Sequence, residues 1–208
     1  MEVISTNKGN SVEINYYGKL VKTGMYKTPV LEGIYLGNED VQDDSVVDRR
    51  YHGGIDKACY WYSADHYDFW KTRFPDLDWQ NGMFGENLTI NNLDEGDVKI
   101  GDVYEIGECL VQVTQPRQPC FKLNYRFSCD NMVKEFIKAG FPGIYIRVLK
   151  EGTIKKGDQL TLKERNENSL SVREIYRLLY DFNKDPKQLA KAIADDALAA
   201  SCKKDLQK

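Results

Sequence analysis

VYEIGECLVQV, residues 103–113, reads as two short strands around a tight turn. Val103–Ile106 and Leu110–Val113 carry β-forming residues, and Gly107-Glu108 supplies the turn between them. The same grammar recurs on both sides. Val12–Tyr17 alternates apolar and polar residues, Ile34–Leu36 ends at Gly37, and Tyr145–Leu149 and Gln159–Leu162 bracket a further turn at Glu151-Gly152. Gly101-Asp102 and Gly157-Asp158 each stand before a strand. Short strands punctuated by glycine favour a barrel or sandwich over a doubly wound parallel sheet. The expected class is mainly β or α+β.

Two helices interrupt the strands. Ser63–Phe74 opens on a serine suited to capping and spaces His66, Phe69, Trp70 and Phe74 along one face. Asp130–Ala139 carries Met132, Val133, Phe136 and Ile137, and Gly140 is its expected stop. From about residue 169 the texture becomes helical. Ser171-Val172-Arg173-Glu174 is a capping box, and Asp185-Pro186 starts a second helix with proline at its first position. The chain therefore divides into a β domain, 1–165, and a small helical module, 166–208. The apolar stripe of that module would cover the β domain or a second copy in a homodimer.

Bulk properties exclude several classes. The 208 residues carry 29 basic and 32 acidic side chains, net charge −3, so a nucleic-acid polymer has no overall electrostatic attraction to this chain. The opening MEVISTNKGN has no apolar leader core, and no apolar run approaches the ~20 residues of a membrane helix. The expected location is the cytoplasm, with the five cysteines as free thiols. Phosphate-loop, dinucleotide and nucleophile-elbow motifs are missing, and two histidines without a C-x-x-C pair argue against a zinc site.

Three dense patches remain. DRRYHGGIDKACYWYSADHY (48–67) gathers Arg49, Arg50, His52 and Lys57 around Gly53-Gly54, which suits an anion such as a phosphate, or simply a solvated loop. NGMFGENLTI (81–90) places Asn87 after a turn, where its amide could read a heterocycle or stabilise its own turn. TQPRQPCFKL (114–123) puts Cys120 after Pro119, with Arg117 and Lys122 beside it. The prolines stiffen the loop, and the flanking positive charge favours a thiolate, which is a soft ligand and a nucleophile. Cys59, Cys109 and Cys202 read as structural.

Together these patches resemble the MOSC domain, named after the C-terminal domain of molybdenum cofactor sulfurases. The resemblance is nearest to the stand-alone bacterial branch associated with resistance to 6-hydroxylaminopurine. It is carried in order by KTGMYKTPV (22–30), HGGIDKA (52–58), GMFGENLT (82–89), VTQPRQPCFKL (113–123), MVKEFIKAG (132–140) and RLLY (177–180). It departs in EDVQDDSVVDRRY (39–51), where the branch usually carries glycine and a Leu-Arg pair.

The resemblance implies a β-barrel with inserted helices and a C-terminal three-helix module that binds a pyranopterin molybdenum cofactor. Cys120 falls on the position of the metal-ligating and catalytic cysteine. Lys27, Arg50, His52, Lys57, Asn87 and Arg117 fall on the cofactor pocket, the cations toward the cofactor phosphate and Asn87 toward the pterin. The implied activity is reduction of small N-hydroxylated compounds, hydroxylamino purines included, to amines. No flavin, haem or iron–sulfur motif is visible, so electrons would come from a flavoprotein reductase. Two alternatives stand beside it: a sulfur carrier using a Cys120 persulfide, and a non-catalytic cofactor carrier.

Overall fold

The computed structural model describes residues 1–49 and 51–208; the candidate Arg50 lies outside the described residues. The chain runs β1 (Glu2–Lys8), β2 (Val12–Tyr16), β3 (Lys19–Thr23), β4 (Thr28–Pro29), β5 (Ile34–Leu36), β6 (Cys59–Ser63), α1 (Tyr67–Arg73), β7 (Leu88–Asn91), β8 (Val103–Ile106) and β9 (Cys109–Pro116). It continues through α2 (Lys122–Arg126), α3 (Met132–Ala139), β10 (Ile144–Lys150), β11 (Gly152–Ile154), β12 (Leu160–Glu164), α4 (Val172–Tyr180), α5 (Pro186–Ala194) and α6 (Ala200–Leu206).

Eight strands form one mixed sheet in the order β12-β8-β9-β10-β6-β7-β1-β4. Only β6 and β7 among these neighbours run parallel, as the crossover through α1 requires. The sheet curls until its ends approach. Val3 N–H donates to the Asp158 carbonyl at 2.9 Å, Gly157 N–H to Val3 at 2.7 Å and Leu160 N–H to Met1 at 3.0 Å. These bonds bridge β1 to the entry of β12 without a continuous ladder. The chain has the expected α+β class, and the word barrel describes its unclosed sheet only loosely. Two small ribbons, β11-β5 and β2-β3, complete the strands.

β6 decides how the core divides. Its side chains are buried on both faces. Cys59 and Trp61 join the main core with Val3, Ile90, Val111 and Ile146. Tyr60 and Tyr62 join an aromatic core with Trp70, Phe84, Phe127 and Phe136, capped by α1, α2 and α3. Leu170, Val172, Ile175, Leu178, Leu198, Cys202 and Leu206 bury into the main core, so the helical segment and the sheet share one apolar interior.

Several local expectations are met. Gly107-Glu108 turns β8 into β9, and Gly140 ends α3 in the left-handed conformation with φ 72°. Ser171 and Glu174 form both halves of the capping box, and Asp185 caps α5 with Pro186 behind it. Others differ. Ser63 ends β6 instead of capping a helix, and a 3-10 turn, Ala64–His66, precedes α1. The segment after Glu151 forms β11, which pairs with β5. Residues 122–126, which show no helical period, form α2. Cys202, read as structural, is indeed fully buried, on α6.

Candidate functional site

Strand β9 delivers the thiol. It pairs with β10 up to Ile144–Pro116, where proline ends the ladder and the chain leaves the sheet. Residues 117–120 have no regular structure, and Cys120 lies half-buried just before α2. Burial pushes the thiols of Cys109 and Cys202 up to about 12 and that of Cys59 higher still, so these three are inert packing groups. Cys120 and Cys129 are the half-buried thiols of the chain, and only Cys120 lines a cavity with the sequence-predicted cations.

The cations are unequal. Arg117 is 5% exposed, its guanidinium 5.5 Å from the Tyr60 ring centre and 5.1 Å from that of Phe136. Aromatic faces stabilise a cation that burial would otherwise penalise. Its Nη1 is nevertheless buried without a hydrogen-bond partner. Such an orphan donor is costly unless a ligand or water meets it. Lys122 is buried as well, and its ammonium forms no ion pair among the described residues. Lys57 donates from Nζ to the Tyr51 carbonyl at 2.9 Å, and burial holds its pKa below the usual lysine range.

His52 precedes the left-handed pair Gly53 and Gly54, φ 88° and 85°, and lines the cavity. Burial, then the charges of Arg117, Lys122 and Lys57, push its pKa down to about 4. It is therefore a neutral imidazole at neutral pH, one donor and one acceptor, and adds no charge. Arg49 turns away to Asp40 at 2.6 Å and Glu39 at 2.9 Å.

Lys27 and Asn87 reach the same cavity, but a third residue holds them. Asp44 forms a buried ion pair with Lys27 and accepts from Asn87 Nδ2 at 2.9 Å. Asn87 Oδ1 also accepts from the Tyr60 N–H at 3.2 Å. These two side chains build the wall by binding one another's neighbour. Below them Glu86, fully buried, accepts from the N–H groups of Gly82 at 2.8 Å and Phe84 at 3.1 Å, from the Thr89 hydroxyl at 2.9 Å, and from Tyr67. That carboxylate folds GMFGEN into its turn.

The result is a narrow inner pocket of about 90 Å³, lined by Lys27, His52, Lys57, Asn87, Arg117 and Cys120, opening into an outer cleft of about 790 Å³. Every candidate among the described residues converges here. Sequence reasoning missed Asp44, Tyr145, Phe121 and Asp205. Asp44 and Asp205 come from distant segments with no motif around them, and Phe121 reads as an ordinary apolar residue. No cluster of three or more His, Cys, Asp or Glu side chains suited to a protein-only metal site occurs among the described residues.

A curled mixed sheet thus projects one thiol from a proline-flanked loop into a cationic pocket. The particular family follows from comparison: the chain belongs to the MOSC domain family, which matches residues 48–161. It is 39% identical over 96% of its length to the uncharacterized protein YflK of Bacillus subtilis, covering 90% of that protein. It is 31% identical over 94% of its length to YiiM of Escherichia coli, covering 88% of it. The crystal structure of YiiM from Geobacillus stearothermophilus superposes with a TM-score of 0.83 at 34% identity, over 99% of this chain and 97% of that one. A protein of Gibberella moniliformis named reductase is 42% identical over 62% of this chain, which spans only 23% of it. No helix among the described residues is long and apolar enough to cross a membrane.

Proposed function

We propose that this chain is a molybdenum-cofactor-dependent oxidoreductase that reduces small N-hydroxylated compounds, hydroxylamino purines included, to amines. The observation that carries the reading is the half-buried Cys120 thiol sharing one pocket with Arg117, whose buried Nη1 lacks a partner. The residues present fit a phosphate-bearing pyranopterin with a soft metal: one soft sulfur donor, the cations Arg117, Lys57 and Lys122, and an apolar, aromatic floor of Phe84 and Tyr60. MOSC membership and the distant relative named reductase support it.

Cys120 would be the metal ligand, held by a loop with little freedom to lose. Arg117, Lys57 and Lys122 would hold the anionic part of the cofactor. Neutral His52 would hydrogen-bond without adding charge. Lys27 and Asn87, tied to Asp44, would shape the wall toward the pterin. Bound there, the group supplies a redox metal able to accept oxygen. The overall conversion takes R–NHOH, two electrons and two protons to R–NH2 and water. A flavoprotein reductase would supply the electrons, in the cytoplasm. Residues 1–165 would form the cofactor domain and 166–208 the helical module.

The test is elemental analysis of the chain and its Cys120→Ala variant, purified from a host that makes the cofactor. Near-stoichiometric molybdenum that collapses in the variant supports the reading. Absence of molybdenum from both sinks it, and a Cys120 adduct heavier by one sulfur would then identify a sulfur carrier.

A further inference from the structure

We propose that Phe121, backed by Tyr16, is a stacking platform that selects planar heteroaromatic substrates in the outer cleft. The proposal rests on the reductive function above and names its substrate class. Phe121 follows Cys120 directly, is 38% exposed and lines the outer cleft. An exposed apolar ring is ordinary by itself. This one is braced. The Tyr16 ring lies 4.6 Å from it, tilted by 45°, and Tyr17 stands edge-on to Tyr16 at 4.7 Å. The Tyr17 hydroxyl donates to Asp130 Oδ1 at 2.9 Å.

This chain of contacts explains the position of the β2-β3 hairpin. The hairpin pairs with no other strand among the described residues. The aromatic contacts and the Asp130 bond hold it across the thiol loop, where Val21 and Lys22 line the cleft. Gln118 and Asp205 line the same cleft as polar groups. A flat ring laid on Phe121 gains stacking in addition to apolar burial, whatever its substituents. An open-chain N-hydroxy compound gains no stacking.

Adenine binding to the purified chain tests the platform by calorimetry, without turnover. Phe121→Leu, which keeps an apolar side chain, should weaken adenine binding about tenfold, within the range of one base–aromatic stack. Tyr16→Leu, which does not line the cleft, should weaken it less but in the same direction. In turnover, Phe121→Leu should raise KM for a hydroxylamino purine by a clearly larger factor than it raises KM for N-methylhydroxylamine. Unaltered thermal unfolding checks that each variant folds. Adenine binding that is undetectable in the parent, or equal in the parent and Phe121→Leu, overturns the platform. Molybdenum measured on the same samples separates the two readings. A chain without molybdenum whose adenine binding depends on Phe121 refutes the reductase and supports the platform. A molybdenum-loaded chain whose adenine binding ignores Phe121 refutes the platform alone.

Discussion

Gln118, two residues before the thiol, donates its Nε2 to Asp205 Oδ2 on the C-terminal helix at 2.9 Å. Two further bonds follow the same seam: Ser201 Oγ to Gln115 Oε1 at 3.2 Å and Ala199 N–H to the Thr114 carbonyl at 3.2 Å. Helix α6 is thus a splint along β9 and the loop that carries Cys120. The last residues of the chain steady a group more than eighty positions earlier.

Losing one such bond is worth on the order of 1 kcal/mol, or about fivefold in a local opening equilibrium. In a Cys129→Ser background, Asp205→Ala should therefore speed alkylation of Cys120 about fivefold. Asp205→Asn keeps an oxygen acceptor and should react at close to the parental rate. Equal rates in all three proteins would show that α6 does not restrain the loop.

His52 makes stability depend on pH. Its folded pKa of about 4 lies below the ordinary 6.5. Between those values the unfolded chain binds a proton that the folded chain does not, so this contribution is present above pH 6.5 and is lost as pH falls toward 4. The full loss is up to about 3 kcal/mol. The thermal midpoint should fall through this window, and His52→Asn should flatten the fall. Inorganic phosphate, by offsetting Arg117, Lys57 and Lys122, should lower the pH at which the parent loses stability.

Glu86 holds four donors in a dry turn. Removing a buried acceptor costs about 1–3 kcal/mol for each donor left without a partner. Glu86→Ala should lower stability by at least about 3 kcal/mol, read as a shifted urea midpoint. Glu86→Gln keeps the volume but turns an NH2 toward donors, and should fall between the two.

Gly143 has φ 68°, and a Cβ built on it would lie 2.4 Å from the Trp61 carbonyl oxygen. Its own carbonyl accepts from the Arg117 N–H at 3.4 Å. Gly143→Ala combines left-handed strain with a backbone clash and should cost about 2 kcal/mol or more. In this variant, exchange of the Arg117 amide, which donates to residue 143, should quicken before that of the α4 amides.

Features that rest on neighbouring residues were legible. Alternation marks β2 and the β8–β9 hairpin, and the capping box at Ser171 marks the start of α4, because each depends on contacts within a few positions. β6 escaped because it is buried on both faces, so CYWYS has no alternation to read. α2 escaped because five residues are too few to display a helical period. The six described candidates, Cys120, Lys27, His52, Lys57, Asn87 and Arg117, do line one pocket. Residue types could not reveal that Lys27 and Asn87 are engaged with Asp44, or that burial leaves His52 neutral.

The sequence by itself determined the α+β class, the turns and caps, and the stiff proline-flanked setting of a single cysteine, since these depend on local backbone preference. The tertiary structure alone decided which charges survive in the pocket, that Asp205 braces the thiol loop, and that Phe121 faces the cleft. Those outcomes depend on burial and on pairing between segments 17 to 87 residues apart, and no local pattern encodes them.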